Sequence, residues 1–263
     1  MRHLDKPKPF AKKSLGQNFL VDLNYVSNIT DALDLQPDDI VVEIGPGRGA
    51  LTERLVEKAG RIIALELDRD LVPFLKEKFA DHSSVQVVEG DALEMDFRNL
   101  LEGDSQSAKL VANLPYYIST AILQRLIDQR QVFSSMVLMF QKEVVDRIAA
   151  EPGNSERGFL TVLVEAFFRV QKLFDVPPSA FRPQPKVWSS VVRIAPKAGD
   201  VPNESRFREL VSSAFLQKRK TILNNLKGKY PNAADMLARA EIDPKLRPEA
   251  LTLDQWFRLV ESQ

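Results

Sequence analysis

The residues with the sharpest chemical content are Asn113-Leu114-Pro115-Tyr116. An Asn side-chain carbonyl and the main-chain carbonyl that follows it form two hydrogen-bond acceptors set close together. Pro115 fixes its own φ and restricts Leu114, which keeps that main-chain carbonyl aimed. Tyr116 offers a ring on which a base can stack, worth about 1–3 kcal/mol per base. Methylation of the exocyclic amine of adenine needs such a set. The lone pair of that amine is delocalised into the ring and is a poor nucleophile. Accepting from both amine hydrogens favours a tetrahedral nitrogen whose lone pair can attack. No general base is required, because the product cation loses its proton readily to water. As a bare pattern the four residues also fit an incidental β-turn, so their surroundings decide.

A second stretch supplies those surroundings. Ile40-Val41-Val42 is a short β-branched run, the mark of a strand buried on both faces of a parallel sheet. Glu43-Ile44-Gly45-Pro46-Gly47-Arg48-Gly49 follows, and Leu51, Leu55 and Val56 then take up helical spacing. Strand, glycine loop and helix together make a nucleotide site, because glycine lets a ligand approach closely and the helix start offers free N–H groups. The spacing is not the G-x-G-x-x-G of a dinucleotide fold, which counts against an oxidoreductase. The acid Glu43 would repel a pyrophosphate but suits a ligand with an ammonium group. Glu66 ends the next strand, Arg61–Glu66, at about the 20-residue distance where a ribose-binding carboxylate is placed. It can take two ribose hydroxyls. Asp91, after a third strand, can accept from an adenine amino group.

These residues need a scaffold that brings strand ends together. After a helix capped by Asp22 and running through about Leu33, strands and helices alternate. Strand Ile40–Ile44 precedes helix Leu51–Lys58. Strand Ile62–Leu67 precedes helix Asp70–Phe79, and strand Val85–Glu89 leads to Gly90-Asp91-Ala92. Strand Leu110–Ala112 precedes a helix over Ser119–Gln129, and strand Met136–Gln141 precedes helix Lys142–Ala149. Such βα repeats imply a doubly wound α/β fold with a mainly parallel sheet, which binds ligands at the carboxyl ends of its strands. Phe159–Val170 and Trp188–Ile194 read as two further strands, paired antiparallel at one end of the sheet. Pro196–Asn203 reads as a linker, and the remainder is helical. The expected division is a catalytic domain over 1–199, with 1–13 as a basic arm, and a helical domain over 200–263.

Composition narrows the chemistry. The 263 residues suit one large domain, or one large and one small. There is no Cys, which removes thiolate metal sites and Cys nucleophiles, and only two His, so no metal is expected. No apolar run approaches the roughly 20 residues of a membrane span, and the basic N-terminus lacks the apolar region of a signal peptide. A cytoplasmic location is expected. The net charge is zero, yet its distribution is uneven. Arg2, Lys6, Lys8, Lys12 and Lys13 oppose Asp5 alone. Arg182, Lys186, Arg193 and Lys197 share a stretch without acids, as do Lys218, Arg219, Lys220, Lys227 and Lys229. One such run is commonly a solvated face. Three in one chain point to phosphate contacts, which are local.

Gln17-Asn18-Phe19-Leu20, Glu43–Thr52, Gly90-Asp91-Ala92, Asn113–Tyr117 and Phe181-Arg182-Pro183-Gln184-Pro185-Lys186-Val187 stand in an order that resembles the ribosomal RNA adenine N6-dimethyltransferases, the small-subunit type above all. The resemblance spans about Lys12 to the end and includes Phe215–Lys220. It implies a seven-stranded class I methyltransferase fold and S-adenosylmethionine as cofactor. Gln17, Asn18, Leu20, Glu43, Gly45, Gly47, Glu66, Asp91, Ala92 and Asn113 would bind or border the cofactor. Asn113, Leu114, Pro115 and Tyr116 would form the adenine site. Phe181 would close over the base, with Arg182, Lys186, Lys218, Arg219 and Lys220 on the RNA. The implied substrate is two adjacent adenosines in a hairpin loop near the 3′ end of 16S rRNA, in a pre-30S particle, acted on by a monomer. Two alternatives stand beside it: the sister enzymes that methylate large-subunit rRNA, and an assembly-checkpoint factor whose methylation is secondary. DNA adenine methyltransferases fit less well, since they usually carry Asp/Asn-Pro-Pro-Tyr.

Overall fold

The computed structural model describes residues 10–101 and 107–262. The first nine residues of the expected basic arm lie outside that range. β1 is Phe19–Leu20 and α1 is Leu23–Asp31, whose start is capped by Asp22 accepting from Asn24 N. The alternation then runs β2 (Ile40–Ile44), α2 (Ala50–Leu55), β3 (Arg61–Glu66), α3 (Leu71–Lys78), β4 (Val85–Glu89), α4 (Phe97–Leu100), β5 (Ala108–Asn113), α5 (Ser119–Asp128), β6 (Phe133–Gln141) and α6 (Lys142–Ile148). α7 (Phe159–Phe167) leads into β7 (Phe168–Val176). One short strand and one long one remain: β8 is Phe181–Arg182 and β9 is Ser189–Pro196. The chain ends in α8 (Glu204–Ala214), α9 (Ile222–Leu226), α10 (Ala233–Arg239) and α11 (Leu253–Glu261).

The large sheet has seven strands in the order β4-β3-β2-β5-β6-β9-β7. Pairing is parallel from β4 through β6, and β9 joins β6 antiparallel. This is the doubly wound, mainly parallel arrangement of the class I methyltransferases. β2 and β3 are buried almost throughout, as strands covered by helices on both faces must be. The order reverses at β2, with β3 on one side and β5 on the other, and this switch point is where the carboxyl ends of the strands leave a crevice.

One sequence expectation is corrected. The apolar run from Phe159 is not a strand over Phe159–Val170. It forms helix α7 and turns into strand only at Phe168. Six of the nine residues of α7 are buried, so the run has no polar stripe and its period cannot be read. The helix start is fixed locally, where Gly158 N donates to Thr161 Oγ1 at 3.0 Å. The edge pairing survives in altered form, since β7 and β9 are neighbours at one end of the sheet.

The contacts gather the described residues into two compact units. One takes residues from within Met1–Val145 together with Gln171–Pro196. The other takes Asp146–Val170 together with those from Lys197 onward. The chain therefore enters the second, helical unit twice, and a boundary near 199 marks only the second entry. Arg157, almost fully buried, ties the two passages together. Its guanidinium donates to Ala150 O at 3.0 Å and Leu251 O at 3.3 Å, and pairs with Glu165. Phe207 of α8 packs edge-on against Phe167 of α7 and Phe257 of α11, with ring centroids 6.3 and 5.6 Å apart.

Candidate functional site

The glycine loop leaves β2 at the switch point. Gly47 and Gly49 have φ of 59° and 80°, in the left-handed region that favours glycine. A Cβ on Gly47 would lie 2.9 Å from the Phe19 ring, and one on Gly49 2.8 Å from the Phe79 ring, so both turns need bare backbone. Lys78 holds the loop from outside, donating to Arg48 O at 2.6 Å and pairing with Glu53 at 2.7 Å.

A cavity of about 150 Å³ opens beside this loop. Its walls come from five places along the chain: Leu15–Phe19, Ile44 to Gly47, Leu65–Leu67, Gly90–Leu93 and Asn113–Ile118. Of the residues singled out from sequence, Gln17, Asn18, Gly45, Gly47, Glu66, Asp91, Ala92, Asn113, Leu114, Pro115 and Tyr116 all line it. Leu20 and Glu43 do not. They line a second cavity that meets the first along Phe19, Gly45, Gly47 and Asn113.

The buried carboxylate of Glu66 accepts from Gly47 N at 3.0 Å through one oxygen and from Asp68 N at 2.9 Å through the other. Each oxygen keeps a second lone pair for a ligand. Burial pushes the Glu66 carboxyl pKa up, against the opposing pull of those two N–H donors. Asp91 turns one oxygen back onto Leu93 N at 2.9 Å. Asn113 closes β5, and its Nδ2 donates to Asn18 O at 3.1 Å. That bond engages the donor end of the amide and leaves Oδ1 as the acceptor. Leu114 N bonds Met139 O at 3.4 Å, and Pro115 sits at φ −58°. The Tyr116 hydroxyl pairs with Ser189 Oγ at 2.8 Å, and burial raises its pKa, so the phenol stays neutral at physiological pH.

Phe181 is corrected. It does not stand over the cavity but is 1% exposed, in the core with Leu20, Val26 and Val41. The cause is strand pairing: β1 and β8 form a two-stranded antiparallel sheet with Phe19 opposite Arg182 and Leu20 opposite Phe181. Arg182 is exposed and donates to Ser179 O and Phe181 O, and Lys186 is exposed. Neither lines the cavity. Lys218, Arg219 and Lys220 are exposed in the turn between α8 and α9 rather than on a helix. Asn225 pins that turn, accepting from Gln217 N at 3.0 Å and donating to Gln217 O at 3.2 Å. Sequence reading passed over Asp68 and Ser189. The Glu66-x-Asp68 spacing is a signal for the first, whereas nothing local marks the second.

Glu43 is 1% exposed and accepts from Thr52 Oγ1 at 2.6 Å. Burial pushes its carboxyl from 4.5 up to about 7, against that hydrogen bond. A folded pKa above the unfolded one means stability that is fully present below pH 4.5 and lost as pH rises through about 7. Glu43→Gln keeps an acceptor for Thr52 and cannot ionise. Its stability relative to the wild type is expected to rise by about 3 kcal/mol between the two ends of that window. Denaturant unfolding of both proteins across the pH series checks this, and a pH-independent difference would show that Glu43 does not titrate there.

Among the described residues no group of three or more His, Asp or Glu is placed to hold a metal ion, and no helix is long and apolar enough to cross a membrane. The family model "Ribosomal RNA adenine dimethylase" matches residues 10–263. A ribosomal RNA small subunit methyltransferase A from Geobacter metallireducens is 44% identical, over 95% of this chain and 94% of its own. Its counterpart from Clostridium acetobutylicum is 41% identical, over 94% and 91%. Among solved structures, a dimethyladenosine transferase from Plasmodium falciparum superposes with a TM-score of 0.80 at 29% identity, over 92% of this chain and 95% of that one. The 23S rRNA methyltransferase ErmE superposes with a TM-score of 0.71 at 26% identity, over 93% and 99%.

Proposed function

The chain belongs to the ribosomal RNA adenine dimethylase family, and from that premise we propose that it transfers methyl groups from S-adenosylmethionine to N6 of two adjacent adenosines near the 3′ end of 16S rRNA. The setting is a pre-30S particle in the cytoplasm. The donor set of the cavity suits this cofactor. Glu66 offers lone pairs to two ribose hydroxyls, Asp91 an acceptor to the adenine amine, and Ala92 an apolar surface to the adenine ring. Gln17 and Asn18 line the same cavity, and Leu20, Glu43, Gly45 and Gly47 border the adjoining space. When bound, the cofactor supplies a methyl group on a positively charged sulfur.

The chain's own part is positioning. A hairpin-loop adenosine leaves its stack to enter the site. Tyr116, braced by Ser189, gives its base a face to stack on. Asn113 Oδ1 and the Leu114 carbonyl accept the two N6 hydrogens and free the nitrogen lone pair for attack. Asn113 and Leu114 would hold N6 with its lone pair toward a cofactor kept by Glu66 and Asp91, which would supply the methyl group and keep the electron pair of the broken methyl–sulfur bond. The N6 proton then leaves to water; the monomethylated amine keeps one hydrogen, so one of the two carbonyls accepts it while the second methyl is received. The observation that supports this reading is the 3.1 Å bond from Asn113 Nδ2 to Asn18 O, which engages the donor end of the amide and leaves Oδ1 available as an acceptor.

Labelled S-adenosylmethionine, offered with undermethylated 30S particles, 50S particles or naked rRNA, tests the reading. Label in dimethyladenosine at two adjacent positions of the 30S RNA is expected. Label in 50S RNA would favour the large-subunit reading, which the likeness to ErmE keeps in view. The relatives at 41–44% identity are named for the small subunit. If assembly defects do not track the loss of methylation in Asn113→Ala, the checkpoint role stands apart from the chemistry.

The exposed turn carrying Lys218, Arg219 and Lys220 is proposed to touch RNA phosphates. Changing all three to Ala is expected to flatten the log–log salt dependence of particle affinity by up to about 3 units, with cofactor affinity unchanged. Filter binding across a salt series measures it. An unchanged slope would make the turn a solvated surface.

A further inference from the structure

The wall of the cavity built from Leu15–Phe19 is fastened at one point outside the site. Asp68 is 2% exposed, two residues past the end of β3. One of its oxygens pairs with Lys12 Nζ at 2.5 Å and the other accepts from Gln17 Nε2 at 2.8 Å. Lys12 also pairs with Asp70 at 2.6 Å, and its backbone N–H donates to Gln17 Oε1 at 2.8 Å. The 3₁₀ turn Lys13–Leu15 between them therefore closes on itself and on Asp68 together. Gly16, at its end, lies against the catalytic motif: a Cβ there would sit 3.3 Å from the Tyr117 ring and 3.7 Å from Pro115.

Both ends of this short segment lead to groups assigned to the reaction. Asp68 N donates to Glu66, and Glu66 accepts from Gly47. One residue past Gln17, the Asn18 carbonyl receives Asn113 Nδ2. Beyond that, β1 anchors the chain to β8. A ligand seated against Glu66 and Asp91 shares its cavity with this segment, which lines it from Leu15 to Phe19. The β1–β8 ladder is main-chain pairing backed by core residues. The Asp68 contacts are side-chain bonds to a segment in which none of residues 12–18 is buried.

We infer that Asp68 is a positioning residue that latches segment 12–18 over the cavity, and that release of Lys12 and Gln17 from Asp68 sets the rate at which S-adenosylmethionine and the demethylated product exchange. The choice of ligand rests on the function proposed above, whereas the latch itself does not. Asp68 touches neither the transferred carbon nor N6. It acts through the segment it holds.

The first measurement needs no ligand. Hydrogen exchange of the 12–20 backbone amides is expected to quicken about tenfold in Asp68→Asn and in the arm-side double variant Lys12→Met/Gln17→Leu, the scale of losing one charge-assisted bond. Exchange in β5 should stay as in the wild type. Lys12→Met and Asp68→Asn should be non-additive when combined, while Lys12→Met and Lys218→Ala should add. The second measurement is stopped-flow release of S-adenosylhomocysteine, which should speed by a similar factor in the same variants while the association rate changes less. Should Asp68→Asn fail to fold, the arm-side double variant decides, since it leaves the Asp68 bond to Asp70 N intact. Unchanged amide exchange in a folded variant overturns the latch. Quickened exchange with an unchanged release rate overturns its control of ligand exit. Failure of the chain to methylate 30S RNA would leave the amide result standing and fault only the functional reading.

Discussion

Replacing Asn113 with Ala is expected to slow single-turnover methylation of a saturating 30S substrate by about 10²–10³-fold, the scale on which a transition-state hydrogen bond is lost. The argument starts from the nitrogen. An adenine N6 whose lone pair lies in the ring attacks poorly, and pulling on both hydrogens is what changes its shape. Two acceptors are available where β5 ends, Asn113 Oδ1 and the Leu114 carbonyl, and Ala at 113 leaves one. The proposed mechanism uses no titratable base, so it rests catalysis on geometry and on stabilising charge as it develops. Asn113→Asp tests that point. It keeps an acceptor of similar size but sets a second oxygen against the Asn18 carbonyl, where Nδ2 now donates at 3.1 Å. Its rate is expected to fall between those of wild type and Ala. Single-turnover conditions separate the chemical step from release, which the Asp68 latch would otherwise influence. Wild-type rates in Asn113→Ala would remove Asn113-Leu114-Pro115-Tyr116 from the adenine site, whatever the family.

How much of this was legible before the structure follows from how local each signal is. Most of the alternation from Ile40 to Ile148 reads directly, because parallel strands buried on both faces are apolar runs and the helices between them keep a polar stripe, whereas the single turn α4 is too short to show one. Asp22 reads as a cap because its partner, Asn24 N, is two residues away. Glu66, Asp91 and Asn113 fall at strand ends, and the fold itself brings strand ends together. The misreadings concern burial and distance. α7 is buried on too many sides to show its period. Phe181 reads as an aromatic of a Pro-rich loop that closes over the base, and only its pairing with Leu20, far back in the chain, puts it in the core. The bond from Lys12 to Asp68 spans 56 residues, and in sequence Lys12 is one more cation in a basic arm. Held between Asp68 and Asp70, it is a structural charge in the ligand-free chain.

Glu66 carries the other large expected effect. In Glu66→Ala, S-adenosylmethionine affinity measured by calorimetry should weaken by about 1.5–3 kcal/mol, roughly 10- to 150-fold in Kd. Two losses combine. The ligand's ribose hydroxyls lose a charged acceptor, and Gly47 N and Asp68 N lose the partners that now hold the glycine loop and the strand end in place. The second loss makes Glu66→Gln informative. Gln supplies one oxygen and one NH₂, so it can satisfy Gly47 N or Asp68 N but must point a donor at the other. It should therefore resemble Ala more than its size implies. The pH dependence adds a separate signature. Because burial raises the Glu66 pKa, the wild-type carboxylate is protonated at a higher pH than an ordinary glutamate, and cofactor affinity should fall as pH drops through that raised value. Glu66→Gln has no proton to gain there and its affinity should be flat over the same range. Wild-type affinity in Glu66→Ala would take Glu66 out of the site. An acid-sensitive Glu66→Gln would instead move the titration to a neighbour, with Glu43, pushed up to about 7 by burial, the first to be changed.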